Sequence, residues 1–234
     1  MFVLKRFLPQ FLIFIVACVF SFVAVIPEKT AIVSGGLLNG RQIIIDAGHG
    51  GFDGGAQAAD GTLEKNINLS ISLKLKEFLE LGGFNVIMTR EVDSGTEMDS
   101  EQSIGKRKVS DMKERLKIIN SNPDAIFVSI HLNKFTTSSA KGTQVFYSQN
   151  NEKSKELAQS IQSVVINQLQ QDNSRVIKKG DKSIYLLKNA KIPAVIVECG
   201  FLSNEQELSL LKQEDYQKKI AFCVYCGILD YYKA

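Results

Sequence analysis

The run IIIDAGHGGFDGGA, Ile43–Ala56, decides how the rest of the chain reads. Three isoleucines lead into Asp46, and a turn from Gly48 to Gly55 carrying five glycines then presents His49. An unbroken apolar run of this length predicts a strand buried on both faces. The glycines permit positive φ and close backbone approach. A phosphate cradle is the rival reading of the turn, but the Lys-Ser/Thr ending of a P-loop and the G-x-G-x-x-G spacing are both missing. The chain has two histidines. The second, His131, closes another apolar run, AIFVSI (Ala125–Ile130), and Glu198 closes a third, AVIV (Ala194–Val197). Parallel neighbouring strands would bring all three residues to the carboxyl edge, where open α/β sheets bind their ligands.

Helices are expected between these strands. Ile67, Ile71, Leu75 and Phe78 mark an apolar stripe on a helix from about Leu63 to Leu81, stopped by Gly82 and Gly83. A strand Phe84–Thr89 ends at Arg90, and a polar loop to Gly105 precedes a helix Lys106–Asn120. The pattern continues with strand Thr143–Tyr147, helix Asn151–Gln170, a short strand Ile184–Leu187, and a last helix Tyr216–Tyr232. Asn204 with Glu207 three residues later predicts a helix cap. The alternation gives an α/β fold, a three-layer α/β/α domain with a mostly parallel central sheet of about six strands.

Composition sets further bounds. A formal charge of +3, with no basic run interleaved with aromatics, argues against a nucleic-acid partner. Lys5 and Arg6 precede FLIFIVACVFSFVAVI (Phe11–Ile26), which Pro27 ends. Residues 1–27 therefore read as a signal peptide or a transmembrane anchor, attaching the chain to the membrane or exporting it. Residues 28–40 read as a tether and residues 41–234 as one catalytic domain. Of the four cysteines, Cys18 lies in the apolar run. Cys223 and Cys226 sit at C-x-x-C spacing on the last helix, but no second pair completes a zinc ribbon, so they read as small buried hydrophobes.

Two imidazoles and a carboxylate from separate elements would make a three-ligand zinc site with a fourth position for water. Oxygen-seeking Mg²⁺ and Ca²⁺ fit that donor set less well. Glu64, in the first turn of its helix, either complements the helix dipole or points back at His49; the sequence leaves both readings open. Glu198 is the candidate acid–base carboxylate, with a salt-bridged structural role as the plain alternative. A Ser-His-Asp triad from Ser129 or Ser203 with His49 and Asp46 lacks a G-x-S-x-G elbow. Two-carboxylate glycosidase chemistry leaves both histidines without work.

DAGHGGFDGGA, LEKNINLSISLKL, MTR, SIHLNK and VECGFLSNEQE, in that order and spacing, resemble the zinc-dependent N-acetylmuramoyl-L-alanine amidases of the amidase-3 family. The likeness runs from about Arg41 to Tyr232. It implies one zinc per chain held by His49, Glu64 and His131, with Glu198 as the catalytic carboxylate and peptidoglycan as substrate. Within the family the chain looks most like the spore-cortex amidases of spore-forming bacteria. That resemblance implies removal of stem peptides as the first step toward muramic-δ-lactam, in the space between the forespore membranes, with an accessory spore lipoprotein as a partner. Arg90 and Asn133 are the candidate substrate-binding residues. Arg90 leaves its strand at the site's edge, where a guanidinium fork would suit a stem-peptide carboxylate. A non-catalytic peptidoglycan-binding module and a zinc peptidase or deacetylase are the alternative functions. Ala47, Lys134 and Cys199 depart from the residues common in relatives.

Overall fold

The computed structural model describes residues 40–96 and 103–233. The expected signal or anchor segment and most of the tether lie outside them. The chain runs β1 (Gln42–Ala47), α1 (Glu64–Leu81), β2 (Asn85–Met88), α2 (Ile104–Asn120), β3 (Ile126–Asn133), β4 (Gln144–Tyr147) and α3 (Lys153–Gln168). It continues with β5 (Lys178–Lys179), α4 (Tyr185–Asn189), β6 (Ala194–Phe201), α5 (Glu205–Leu211) and α6 (Glu214–Lys233).

The six strands form one sheet in the order β2-β1-β3-β6-β4-β5. The first four are mutually parallel; β4 runs antiparallel to β6 and parallel to β5. The two-residue period of a strand divides the core into two layers. Ile43, Ile45, Val128, Ile130, Val195 and Val197 face a cluster built with Ile71 and Leu75 of α1, Leu157 and Ile161 of α3, and Val224 and Ile228 of α6. Ile44, Phe127, Ala194 and Ile196 face the other way, against Ile119 of α2 and Leu186 and Leu187 of α4. The central strands are apolar throughout because each is covered on both faces.

Three local differences from the expected elements have physical causes. Ile184–Leu187 does not form a strand. Tyr185–Asn189 is a short helix that turns Leu186 and Leu187 onto the sheet. The strand at Lys178–Lys179 is exposed and has no apolar pattern to announce it. β3 and β6 also run past their apolar stretches, so His131 and Glu198 lie within the strands and are register partners. Asn204 caps α5, accepting from the backbone N–H of Gln206 and Glu207. The Glu207 carboxylate turns away from the cap, to the amides of Gly142 and Phe201.

Candidate active site

β1 ends against the centre of the sheet, and the turn after it is shaped by contacts that only glycine allows. A Cβ on Gly48 would lie 2.3 Å from His131 Nε2, and one on Gly55 would lie 2.7 Å from both Glu64 Oε2 and His49 Cδ2. His49 itself has φ of 63°, the left-handed region that non-glycine residues rarely occupy. This turn and the start of α1 are tied together by Glu64 N–H donating to Ala56 O at 2.9 Å.

Glu64 points into the site, which decides between the two readings of it. Its Oε2 lies 3.2 Å from His49 Nε2, and its Oε1 lies 3.0 Å from His131 Nδ1. The ligand atoms of His49, Glu64 and His131 all fall within 4.8 Å of one another. The backbone amides of Ala56 and Leu132 donate to the two Glu64 oxygens at 2.8 and 3.0 Å, and Asn68 Nδ2 donates to Oε1 at 3.2 Å. Burial opposes ionisation of Glu64, yet the hydrogen bonds and charges of His131 and His49 hold its carboxyl far below the usual range. Burial likewise opposes a charged His49, but Asp53 and Glu64 raise its pKa to about 9. A carboxylate between two imidazoles is an environment built for a positive charge.

Asp53 is a site residue that the sequence reading did not single out. Its Oδ2 accepts from His49 Nδ1 at 2.9 Å, fixing the tautomer that leaves Nε2 facing Glu64. Carboxylates in this role orient metal-binding imidazoles. A carboxylate four residues after a histidine in a glycine turn was the available signal. Lys108 Nζ sits 2.9 Å from the other Asp53 oxygen and lines the adjoining cleft of about 310 Å³ with Met112, Ile184 and Tyr185.

Glu198 arrives from β6 beside His131. Strand alternation sends the next residue, Cys199, into the opposite core layer, where it is fully buried. Burial pushes the Glu198 carboxyl up to about 7; His131 and His49 pull it down, while Glu64 pushes it up. Its Oε2 is enclosed and has no hydrogen-bond partner. An unpaired carboxylate oxygen with a pKa near neutrality suits proton transfer in both directions. It does not suit the salt-bridged structural role.

One sequence expectation changes here, and the triad already set aside stays aside. Arg90 does not offer its fork to a ligand. It is buried, its Nε donates to the carbonyls of Ala47 and His49, and its Nη2 donates to those of Gly48 and Lys65. A fork filled by main-chain acceptors is not free for a stem-peptide carboxylate. Ser129 belongs to no triad, because its hydroxyl hydrogen-bonds Asp46 beneath the site. Asn133, at the end of β3, accepts from its neighbour Lys134 N–H through Oδ1.

Two histidines and two carboxylates, drawn from a turn, a helix start and two strands, meet at the carboxyl edge of the sheet, and three of them could hold a metal ion, the arrangement of a hydrolase-like site. The family pattern of the N-acetylmuramoyl-L-alanine amidases (Amidase_3) matches residues 43–230, and the chain belongs to that family. It is 36% identical over 195 residues to the germination-specific N-acetylmuramoyl-L-alanine amidase of Bacillus subtilis, covering 83% of this chain and 81% of that one. Among solved structures it resembles the CwlD amidase from Clostridioides difficile in complex with the GerS lipoprotein. That match has a TM-score of 0.78 and 46% identity, and covers 82% of this chain and 98% of that one. An N-acetylmuramoyl-L-alanine amidase from Clostridium difficile 630 superposes with a TM-score of 0.70 at 28% identity, covering 84% and 98%. The chain is an N-acetylmuramoyl-L-alanine amidase that acts on peptidoglycan at the cell wall. Among the described residues no helix is long and apolar enough to cross a membrane.

Proposed function

We propose that this chain is a zinc amidase that cleaves the bond between the lactyl group of N-acetylmuramic acid and L-alanine in spore cortex. The observation that carries the reading is the His49–Glu64–His131 cluster with Glu198 beside it. Two imidazole nitrogens and one carboxylate oxygen are the donor set of catalytic zinc with a position left for water. His49, Glu64 and His131 would hold one ion per chain. The ion, when bound, would supply a Lewis acid for the amide carbonyl and acidify the attacking water.

The rest of the chemistry falls to the chain. Asp53 holds His49 in the tautomer that offers Nε2 to the site. Glu198, ionised above about pH 7, takes the proton of the attacking water and passes it to the nitrogen of the departing L-alanine. Expulsion of a neutral amine requires that transfer. Asn133, at the rim of the same edge, is the residue proposed to contact the glycan or peptide. The spore-cortex setting follows the germination-specific relative, and the resulting peptide-free muramic acid suits conversion to the δ-lactam. The apolar residues 1–27 are proposed to export the domain or anchor it between the forespore membranes. Residues 28–40 are the proposed tether and 41–234 the catalytic domain. A spore lipoprotein is the proposed partner, by analogy with the relative solved in complex with GerS.

Mass spectrometry of cortex peptidoglycan fragments after incubation with zinc-loaded protein tests the activity. Free peptides beginning at L-alanine, with the glycan strand intact, are expected. Cleavage within the peptide, or loss of acetyl groups alone, would replace the amidase reading by peptidase or deacetylase chemistry.

A further inference from the structure

The strained turn that carries His49 is held by an unusual arrangement. Three successive carbonyls, of Ala47, Gly48 and His49, converge on two buried guanidiniums. Arg90 Nε donates to Ala47 O at 2.8 Å and His49 O at 2.7 Å, while its Nη2 donates to Gly48 O at 3.0 Å. Arg115, from α2 on one layer of the fold, donates to two of the same acceptors, Ala47 O at 3.1 Å and His49 O at 2.8 Å. Both arginines are buried, Arg115 completely. Asp46 and Asp111 neutralise Arg115, which fixes its plane from behind.

Two like charges on shared carbonyls are an expensive way to finish a strand. A regular strand end needs neither. The arrangement has a local consequence: it aims the carbonyls of 47–49 inward, and with them directed so, His49 adopts φ of 63° and its ring faces Glu64 and His131. A Cβ on Gly50 would lie 2.3 Å from Ser94 O and 2.7 Å from Arg90 Nε, so the next residue of the turn must also be glycine. Backbone strain at a single functional residue persists only where the surroundings over-determine it.

We infer that Arg90 and Arg115 are positioning residues, which set the affinity of the metal site by locking the main chain of His49, and that neither touches substrate. This rests on the zinc reading of the His49–Glu64–His131 cluster.

The test is Co(II) and Zn(II) titration of the full chain and of Arg90→Lys, with Leu79→Ala as a control for lost stability. Leu79 is fully buried near the far end of α1, about 22 Å along the helix from Glu64 at 1.5 Å per residue. An ammonium keeps the charge but cannot reach three carbonyls with fixed geometry. Arg90→Lys is expected to weaken Co(II) binding about tenfold or more, the range for residues that orient metal ligands, and to shift the Co(II) ligand-field bands. Leu79→Ala should lower the melting temperature and leave affinity and spectrum unchanged. At saturating metal, Arg90→Lys should lower kcat on muropeptides with KM unchanged.

If Arg90→Lys gives no cooperative melt, Asp111→Asn makes the same comparison by loosening Arg115 through its Nε, with a measurable loss of Co(II) affinity expected that is smaller than the tenfold of Arg90→Lys. Wild-type affinity and spectrum in the folded variant would overturn the inference. So would an effect confined to KM, which would return Arg90 to the substrate. Wild-type protein that takes up no Co(II) or Zn(II) would instead remove the metal site, and this inference with it.

Discussion

The two histidines of the site are delivered in opposite ways. His131 lies inside β3, a central strand of the sheet, and its position follows from strand geometry and register with Glu198, just before the β3–β6 pairing shifts register towards Asn133. His49 lies beyond β1 in a left-handed conformation, held by Asp53, two buried arginines and glycines that let neighbours approach. One imidazole is placed by secondary structure, the other by side chains acting on main chain. The first needs only the sheet to form. The second needs a set of polar contacts to be complete, and it is where substitutions outside the ligand set should disturb the metal.

The largest effect tests what both deliveries share. His49→Ala or His131→Ala leaves two protein ligands, and no other histidine exists to substitute. Elemental analysis is expected to show about one zinc per chain in the wild type, falling sharply in both variants along with amidase activity. Undiminished zinc in either variant would place the ion elsewhere.

Glu198 comes next and separates catalysis from binding on the regular side of the site. Glu198→Gln retains shape but cannot take a proton, so turnover should fall by ~10²–10⁴-fold with zinc retained. The metal-free protein adds a stability signature. A carboxyl whose folded pKa is raised to about 7 penalises the native state as pH climbs from its unfolded value near 4.5 through 7. The glutamine variant should therefore melt a few degrees higher than wild type at pH 8 and about equally at pH 4. Equal melting at both values would mean the carboxyl is better solvated than its enclosed Oε2 suggests.

How far the sequence reached follows the same division. The regular side was legible: apolar runs ending in His131 and Glu198 mark strands, and strand alternation alone separates Glu198 from Cys199. The amphipathic stripe of α1 placed Glu64 at the right edge, though not which way it pointed. The turn side was less legible, because Arg90 works on backbone carbonyls, and carbonyls carry no sequence signature. An arginine after a strand at the site's edge reads as a ligand contact unless its acceptors are known. Lys178–Lys179 pairs with β4 through main chain alone, and Tyr185–Asn189 is too short to display a helical period. Residues 1–27, 28–39 and 97–102 of the loop after Arg90 fall outside the described residues, so their reading rests on the sequence.

Beneath the turn, Asp46 offers a pH test of the buried support. Although burial raises its pKa, Arg115, His131, Ser129 and Thr89 bring it down from 3.8 to about 2. For a depressed carboxyl the linked stability is complete above the unfolded value and is lost as pH falls through the folded one. The window is therefore about pH 4 down to pH 2, with on the order of 2 kcal/mol at stake. Urea titrations of the metal-free protein should show this loss, and Asp46→Asn should lower stability at pH 6 and flatten that part of the profile. An unchanged acid limb in Asp46→Asn would assign the acid sensitivity to other carboxylates.

The smallest effect contrasts the buried tie on the turn with an exposed one. Asp93 also grips the glycine loop, accepting from Gly51 N–H at 2.9 Å and pairing with Lys65 Nζ at 2.7 Å. The Asp93 side chain is 49% exposed, however, and water can replace either partner. Exposed ion pairs contribute about 0–1 kcal/mol because solvent screens them and side-chain entropy opposes them. The Lys65 ammonium also donates to Gly51 O, so the loop keeps a second tether when Asp93 is neutralised. Asp93→Asn should accordingly lower the melting temperature by no more than a few degrees, less in high salt, and leave Co(II) affinity at the wild-type value. A loss of affinity comparable to that expected for Arg90→Lys would show that the whole loop, rather than the three carbonyls at its root, sets the position of His49.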